Sequence, residues 1–157
     1  MLAVPRLRLQ IEAGNRTLAA AIRLAHCFVR QGVVAVFENP HSSLAWQDGR
    51  WKALTKHVAV VKHVLDYCQF GARWRKRTRL VTIHTGTIDK FNCMCTGRRG
   101  RCSSGEPHVR LKGALPGIGR LTRAAEPYPA PLALAAARVM LQTAEARQIA
   151  QQCRFCF

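Results

Sequence analysis

A short, continuously apolar run, Val33 to Phe37, constrains the fold of this chain more than any other segment. The run is rich in β-branched residues and ends abruptly at Glu38-Asn39-Pro40, a pattern typical of a buried strand in a parallel sheet. The preceding segment, Arg16 to Arg30, has apolar residues at helical spacing, with Asn15 as its N-cap and Gly32 as its stop. A helix followed directly by a buried strand predicts an α/β fold with a partial Rossmann-like sheet. Such doubly wound sheets bind ligands at the carboxyl ends of their strands.

Two further strands are predicted, at Val58 to Leu65 and at Thr78 to Ile83, which gives a sheet of about three strands. A closing helix from Leu132 to Ala150 is built from strong helix formers. We therefore predict a partial α/β domain over residues 1–127, with a Cys/His-rich loop at about 92–119, followed by a C-terminal helix and tail over 128–157.

The charge of the chain indicates a polyanionic partner. Lys and Arg number 25 against 8 Asp and Glu, a formal net charge of +17, and 48% of the residues are hydrophobic. This apolar content is too high for a disordered basic tail, so the chain should fold and bind nucleic acid. No apolar run is long enough to cross a membrane, and Met1 to Gln10 lacks the core of a secretory signal. We expect an intracellular protein, nuclear in a eukaryote, with no membrane partner.

A basic stretch between the second and third strands is the first candidate binding surface. It places five positive charges around one tryptophan, in the residues Arg73, Trp74, Arg75, Lys76, Arg77 and Arg79. Guanidinium groups interleaved with an aromatic ring suit a phosphate backbone and a stacked base. The alternative is a solvated hairpin tip with an excess of charge.

A cluster of soft ligands marks a candidate metal site. Cys93, Cys95, Cys102 and His108 are spaced C-x-C-x6-C-x5-H within a glycine-rich loop. Tetrahedral zinc accepts such ligands, and a structural zinc orders loops of this kind. The tail pair Cys153 and Cys156 is a competing source of ligands, and the alternative is a set of ordinary reduced thiols in a mobile loop.

Glu38 is the candidate catalytic residue, because a carboxylate at the end of a buried strand faces the ligand crevice. The alternative is that Glu38 caps a turn or neutralises a nearby arginine.

Several short motifs together resemble cytosine-5 DNA methyltransferases, and most closely a divergent methyltransferase-like group found in protist and mobile-element proteins. In chain order they are Gly14-Asn15, Glu38-Asn39-Pro40, Ser43-Leu44-Ala45-Trp46, Val64 to Gly71, Lys76-Arg77-Thr78-Arg79 and Tyr128-Pro129. The resemblance covers about Gly14 to Pro129 and corresponds to the C-terminal half of the methyltransferase domain.

The resemblance implies that Glu38 contacts the ring nitrogen and amino group of a target cytosine, and that Lys76 lies near that flipped base. In the family, the S-adenosylmethionine site and the catalytic Pro-Cys loop precede the Glu-Asn segment. Only Met1 to Ala13 precedes Gly14 here, and it contains no cysteine. Methyl transfer would therefore require a partner chain that supplies the cofactor-binding half, and the chain alone would bind DNA, more readily than RNA, without catalysis.

Two other functions remain open at this point. One is a non-catalytic, zinc-stabilised basic module, in which Cys95, Cys102 and His108 order the loop and the arginines at 98, 99 and 101 bind phosphates. The other is a decayed mobile-element remnant without a selected function.

Overall fold

The structure, a computed structural model, describes residues 3–115 and 119–153. Its helices are α1 (Ala3–Gln31), α2 (Gly49–Leu54), α3 (Leu121–Ala124) and α4 (Ala130–Cys153). Its strands are β1 (Ala35–Pro40), β2 (Val60–Asp66), β3 (Arg77–Ile83), β4 (Ala114–Leu115) and β5 (Gly119–Arg120). Short 3-10 helices cover Leu44–Gln47, Tyr67–Phe70 and Asp89–Phe91. The chain is a mixed α/β protein.

The main sheet has three strands in the order β1-β3-β2, and both pairings are antiparallel. Phe37 of β1 lies opposite Val81 of β3, and Val81 lies opposite Lys62 of β2. The three predicted strands are therefore present, but the expected parallel, Rossmann-like order is not what the structure shows. β1 and β2 run in the same direction, and β3 is inserted between them in the opposite direction.

The prediction of a parallel strand failed because a continuous apolar run reports burial on both faces and not the direction of pairing. On one face of β1, Ala35 and Phe37 join a core with Trp51. On the other face, Val36 joins a second core with Leu132 of α4. Helices cover both faces here, as they do in a parallel sheet, although the ladder is antiparallel.

Helix α1 begins earlier than the sequence indicates. It runs unbroken from Ala3 to Gln31, so Asn15 lies within the helix and is not its N-cap. Glycine and asparagine inside a helix cost up to about 1 kcal/mol each relative to alanine, and a helix that continues on both sides offsets this cost. The predicted stop is correct, because Gly32 follows the helix with a φ of +70°.

Helix α4 extends the predicted closing helix by one turn or less at each end. It buries Leu132 against the sheet. The predicted tail, Phe155 and Cys156, lies outside the described residues. No helix in the described ranges combines the length and apolarity needed to cross a membrane.

A histidine is buried in the sheet. His63 of β2 is fully buried, its Nε2 lies 3.2 Å from the Thr82 hydroxyl, and its ring meets Phe91 edge-on. Burial lowers the pKa of His63 below 6.5, and the Asn92 side chain opposes this shift only in part.

The buried histidine predicts a loss of stability in mild acid. As the pH falls through about 6.5, the unfolded chain binds a proton at His63 that the folded chain does not, so the free energy of unfolding decreases. We expect His63→Gln to reduce the slope of the free energy of unfolding against pH by at most about 1.4 kcal/mol per pH unit. Urea unfolding of metal-loaded parent and variant between about pH 7.5 and 5.5 measures the two slopes. Equal slopes in parent and variant would contradict a neutral buried His63.

Candidate metal centre and its basic loop

Four ligand atoms meet beside the end of β2. The thiols of Cys68, Cys95 and Cys102 and the imidazole of His108 all lie within 4.8 Å of one another. The sulfurs of Cys95 and Cys102 are 3.8 Å apart, and the Cys95 sulfur is 3.7 Å from His108 Nε2. Two sulfurs bound to one tetrahedral zinc at about 2.3 Å would be separated by roughly 3.8 Å. The cluster can therefore hold a metal ion.

The cluster differs from the predicted ligand set at one position. Cys95, Cys102 and His108 lie together, and the fourth residue of the cluster is Cys68, whereas Cys93 lies outside it. The backbone carbonyl of Cys93 accepts a hydrogen bond from the Asp66 N–H, which places Cys93 beside the end of β2. The predicted tail ligand Cys156 lies outside the described residues.

A repeated turn is shared by Cys68 and Cys102. Cys68-x-x-Gly71 and Cys102-x-x-Gly105 have the same spacing, and the two glycines have φ values of +86° and +92°. In each turn the glycine N–H donates to the cysteine carbonyl, at 3.4 and 3.0 Å. Each cysteine is therefore the first residue of a tight turn that a left-handed glycine closes three residues later. This Cys-x-x-Gly repeat was the signal that the sequence analysis missed.

Polar groups around the thiols hold them in place. The Gln69 side-chain amide lies 2.9 Å from the Ser103 hydroxyl and 3.5 Å from the Cys102 sulfur. The backbone N–H and hydroxyl of Ser104 lower the pKa of Cys102, whereas burial raises the pKa of Cys68. The pKa of Cys102 therefore lies below that of Cys68, and a cysteine binds a metal as the thiolate.

Asp66 connects the sheet to the loop that carries Cys95, Cys102 and His108, which is called the metal loop below. Its fully buried carboxylate accepts hydrogen bonds from Arg75 Nε at 3.1 Å, from Arg77 at 3.1 and 3.0 Å, and from the Cys95 backbone N–H at 2.8 Å. Burial alone would raise the pKa of Asp66, but the hydrogen bonds and the two positive charges outweigh it, and the pKa is lowered. The ionised carboxylate fixes Cys95 relative to the β2–β3 connection.

The segment between Cys95 and Cys102 is a tight turn of arginines. The Arg101 N–H donates to the Arg98 carbonyl at 3.0 Å, and Arg99 and Gly100 have φ values of +51° and +80°. Two successive positive φ values define a type I′ turn, which arginine rarely enters. The side chains of Arg98, Arg99 and Arg101 are exposed, and none of them pairs with a carboxylate in the described part of the chain. Because the turn is bracketed by two candidate metal ligands, a bound metal would fix it.

The predicted basic surface at 73–79 is largely engaged within the fold. Arg75 and Arg77 pair with Asp66 and keep 35% and 39% of their side chains exposed. Lys76 lies over the Tyr67 ring at 4.7 Å, and Arg79 lies over the Trp46 ring at 5.4 Å.

Two predicted contact residues of this stretch differ in exposure. Trp74 is half-buried, with no partner for its indole N–H among the described residues, and Arg73 is exposed. The Arg73 carbonyl accepts from the Val109 N–H at 2.8 Å, so Arg73 lies beside the metal loop.

Glu38, the predicted catalytic carboxylate, lies within β1, which continues to Pro40, and not at the end of the strand. Lys76 Nζ is 3.9 Å from one carboxylate oxygen, and the Tyr128 hydroxyl donates to the other at 3.2 Å. Burial, and then the negative charge of Glu38, raise the pKa of the neighbouring Tyr67. The structure thus brings Glu38 and Lys76 together and gives Glu38 a counter-ion.

No family model, no curated protein and no solved structure matches this chain.

We expect the loss of a carboxylate charge to destabilise the fold more at Asp66 than at Asp48. Asp66→Asn removes the charge that two arginines share in a buried position, so we expect a loss of about 3 kcal/mol in the free energy of unfolding. Asp48→Asn removes one partner of the Arg50 ion pair at the surface but keeps a good N-cap for α2, so we expect little change. Chemical denaturation of both variants tests the difference, and equal losses would contradict the role given to Asp66.

Proposed function

We propose that this chain is a zinc-stabilised, basic nucleic-acid-binding module in which the metal centre holds an arginine turn in position to contact phosphates. The observation that carries the proposal is the placement of Arg98, Arg99 and Arg101 between Cys95 and Cys102. The segment that would contact the polyanion is therefore the segment that a bound metal would order.

Zinc is the metal that fits this donor set best. Three thiolates and one imidazole in a tetrahedral arrangement form a common structural zinc site, whereas magnesium and calcium prefer oxygen ligands. All four coordination positions would be filled by protein, as in a structural site. Residues 92–113 form no helix or strand, so a metal would supply the order that regular backbone pairing does not.

Nucleic acid is the partner that fits the charge. The guanidinium fork of arginine donates to two phosphate oxygens at once. Arg98 and Arg99 are exposed and free to do so, and Arg101 has further donors besides the Nη1 group that donates to the Gly105 carbonyl at 3.1 Å. Arg73 beside the loop extends the surface, as does exposed Arg110. The resemblance noted above favours DNA over RNA. The proposed role is binding, because the metal cluster and the exposed arginine turn are features of a binding surface.

A comparison of two cysteine variants tests the metal centre. We expect the parent chain to bind about one equivalent of zinc, Cys68→Ala to lose it, and Cys93→Ala to retain it. Elemental analysis after gel filtration measures the zinc, and cobalt substitution reports thiolate ligation by its absorption. Cys93 is the matched control, since it is a half-buried free cysteine near the cluster but outside it. If Cys93→Ala loses the zinc and Cys68→Ala retains it, the proposed ligand set is wrong. If the parent chain binds no zinc, the proposal itself is wrong.

A comparison of two triple variants tests the arginine turn. Replacing Arg98, Arg99 and Arg101 with alanine should weaken binding to a short DNA duplex and reduce the slope of log affinity against log salt by up to about 2.7. The control replaces three exposed arginines of α1, Arg16, Arg23 and Arg30, and so removes the same charge. Fluorescence anisotropy across a salt series measures both slopes. If the two triple variants lose affinity equally, net charge and not the metal-held turn is responsible for binding.

A further inference from the structure

The two edge strands of the three-stranded sheet, β1 and β2, differ in how their outward backbone N–H and carbonyl groups are paired. The His41 N–H donates to the Arg77 carbonyl, so the odd-numbered residues of β1 exchange backbone hydrogen bonds with β3. The N–H and carbonyl groups of Val36 and Glu38 therefore point away from β3, toward the outer edge. In β2, the Ala59 carbonyl accepts from the His84 N–H, so Lys62 and Val64 point outward in the same way.

The β2 edge carries the features that discourage strand pairing. The Val60 N–H donates to the His57 carbonyl, and the Asp66 N–H donates to the Cys93 carbonyl, each at 2.9 Å. Both ends of this edge are thus occupied by the chain itself. The exposed side chain of Lys62 stands between them, and an edge lysine opposes the addition of another strand.

At the β1 edge such protection is confined to the carboxyl end, where Pro40 has no N–H and its carbonyl accepts from the Ser43 N–H and from Trp46 Nε1, each at 2.9 Å. Among the described residues, no backbone partner is found for the outward N–H and carbonyl groups of Val36 and Glu38. The strand is uncharged from Ala35 to Phe37. An apolar edge of this kind is a template for pairing with another chain.

Clefts lie along both faces of the β1 edge. One, of about 720 Å³, is bounded by α1, Phe37 and Trp51, and the other, of about 320 Å³, is bounded by Val36 and α4. Glu38 lines both clefts, so the edge lies between them. Because side chains of a strand alternate between the faces of a sheet, an added strand would place its side chains alternately in the two clefts.

We propose that β1 pairs antiparallel with β1 of a second copy of this chain, which joins two sheets into one of six strands. The segment is self-complementary for this pairing. With the two-fold axis at Val36 or at Phe37, Glu38 faces Val34 or Val36 of the second copy, and never its own counterpart. The single charge of the strand is thereby not placed opposite a like charge.

The net charge gives this pairing a distinctive salt dependence. Two chains of +17 repel each other, and salt screens the repulsion, since the Debye length falls from about 10 Å at 0.1 M to about 3 Å at 1 M. The dimer therefore strengthens as salt rises, whereas binding to a polyanion weakens. The pairing and the nucleic-acid proposal are separable on this basis, and neither depends on the other.

Sedimentation velocity of the full, metal-loaded chain at about 0.1 M and about 1 M salt tests the proposal. We expect more dimer at high salt, and an increase of about tenfold or more in the dimer dissociation constant for Val36→Pro. Proline at position 36 removes an outward N–H and leaves the hydrogen bonds to β3 in place. Val64→Pro is the matched control, because it makes the same change at an outward position of the β2 edge and should leave the dimer intact.

Circular dichroism checks that each variant is folded, and Val34→Lys replaces Val36→Pro if the proline variant is not. Hydrogen exchange should show slower exchange at the amides of Val36 and Glu38 in the dimer than in the monomer. A chain that is monomeric at both salt concentrations overturns the proposal, as does a dimer that persists in the β1 variants. Equal loss of the dimer in Val64→Pro also overturns it.

Discussion

Asp66 places an ionised carboxylate where water does not reach, and this charge organises one end of the molecule. Taking a carboxylate out of water costs several kcal/mol unless donors surround it. Here Arg75, Arg77 and the Cys95 N–H supply four hydrogen bonds. These donors come from the β2–β3 connection, from β3 and from the metal loop, so three separate segments are oriented by one side chain. The arginines pair with Asp66 through their head groups and leave part of each side chain at the surface.

The candidate metal cluster is built on this arrangement. Cys68 follows Asp66 by two residues in the 3-10 helix, and Cys95 is held by its own backbone bond to the carboxylate. Two of the four ligands are therefore positioned by the sheet before a metal binds. Cys102 and His108 come from the irregular loop, where the His108 N–H donates to the Gly100 carbonyl at 2.7 Å. Metal binding would then close a loop whose other side is already fixed, which reduces the ordering entropy that the metal has to offset.

The sequence predicts what depends on local pattern and fails where distant segments decide. The strand at Val33 to Phe37 is recognisable because its apolar run reports burial, but its antiparallel partner lies more than forty residues away in the chain. Asn15 fits an N-cap by residue type, and only the helical continuation before it shows otherwise. Cys95, Cys102 and His108 are close in sequence and were predicted together. Cys68 precedes β3 in the chain, whereas the other three residues of the cluster follow it, so proximity in sequence could not select Cys68 over Cys93. The repeated Cys-x-x-Gly turn could have done so, because it depends on local geometry.

The charge distribution links the proposed metal to the basic loop. Three arginines within four residues repel one another, and the type I′ turn holds Arg99 in a conformation that arginine disfavours. A zinc ion with three thiolates and one neutral imidazole carries a net charge of about −1. The occupied site would therefore place a negative charge at the base of the arginine turn and offset part of its self-repulsion, in addition to holding its two ends together. A bound zinc would then serve this loop in two ways, as a cross-link between Cys95 and Cys102 and as the counter-charge for the side chains they flank.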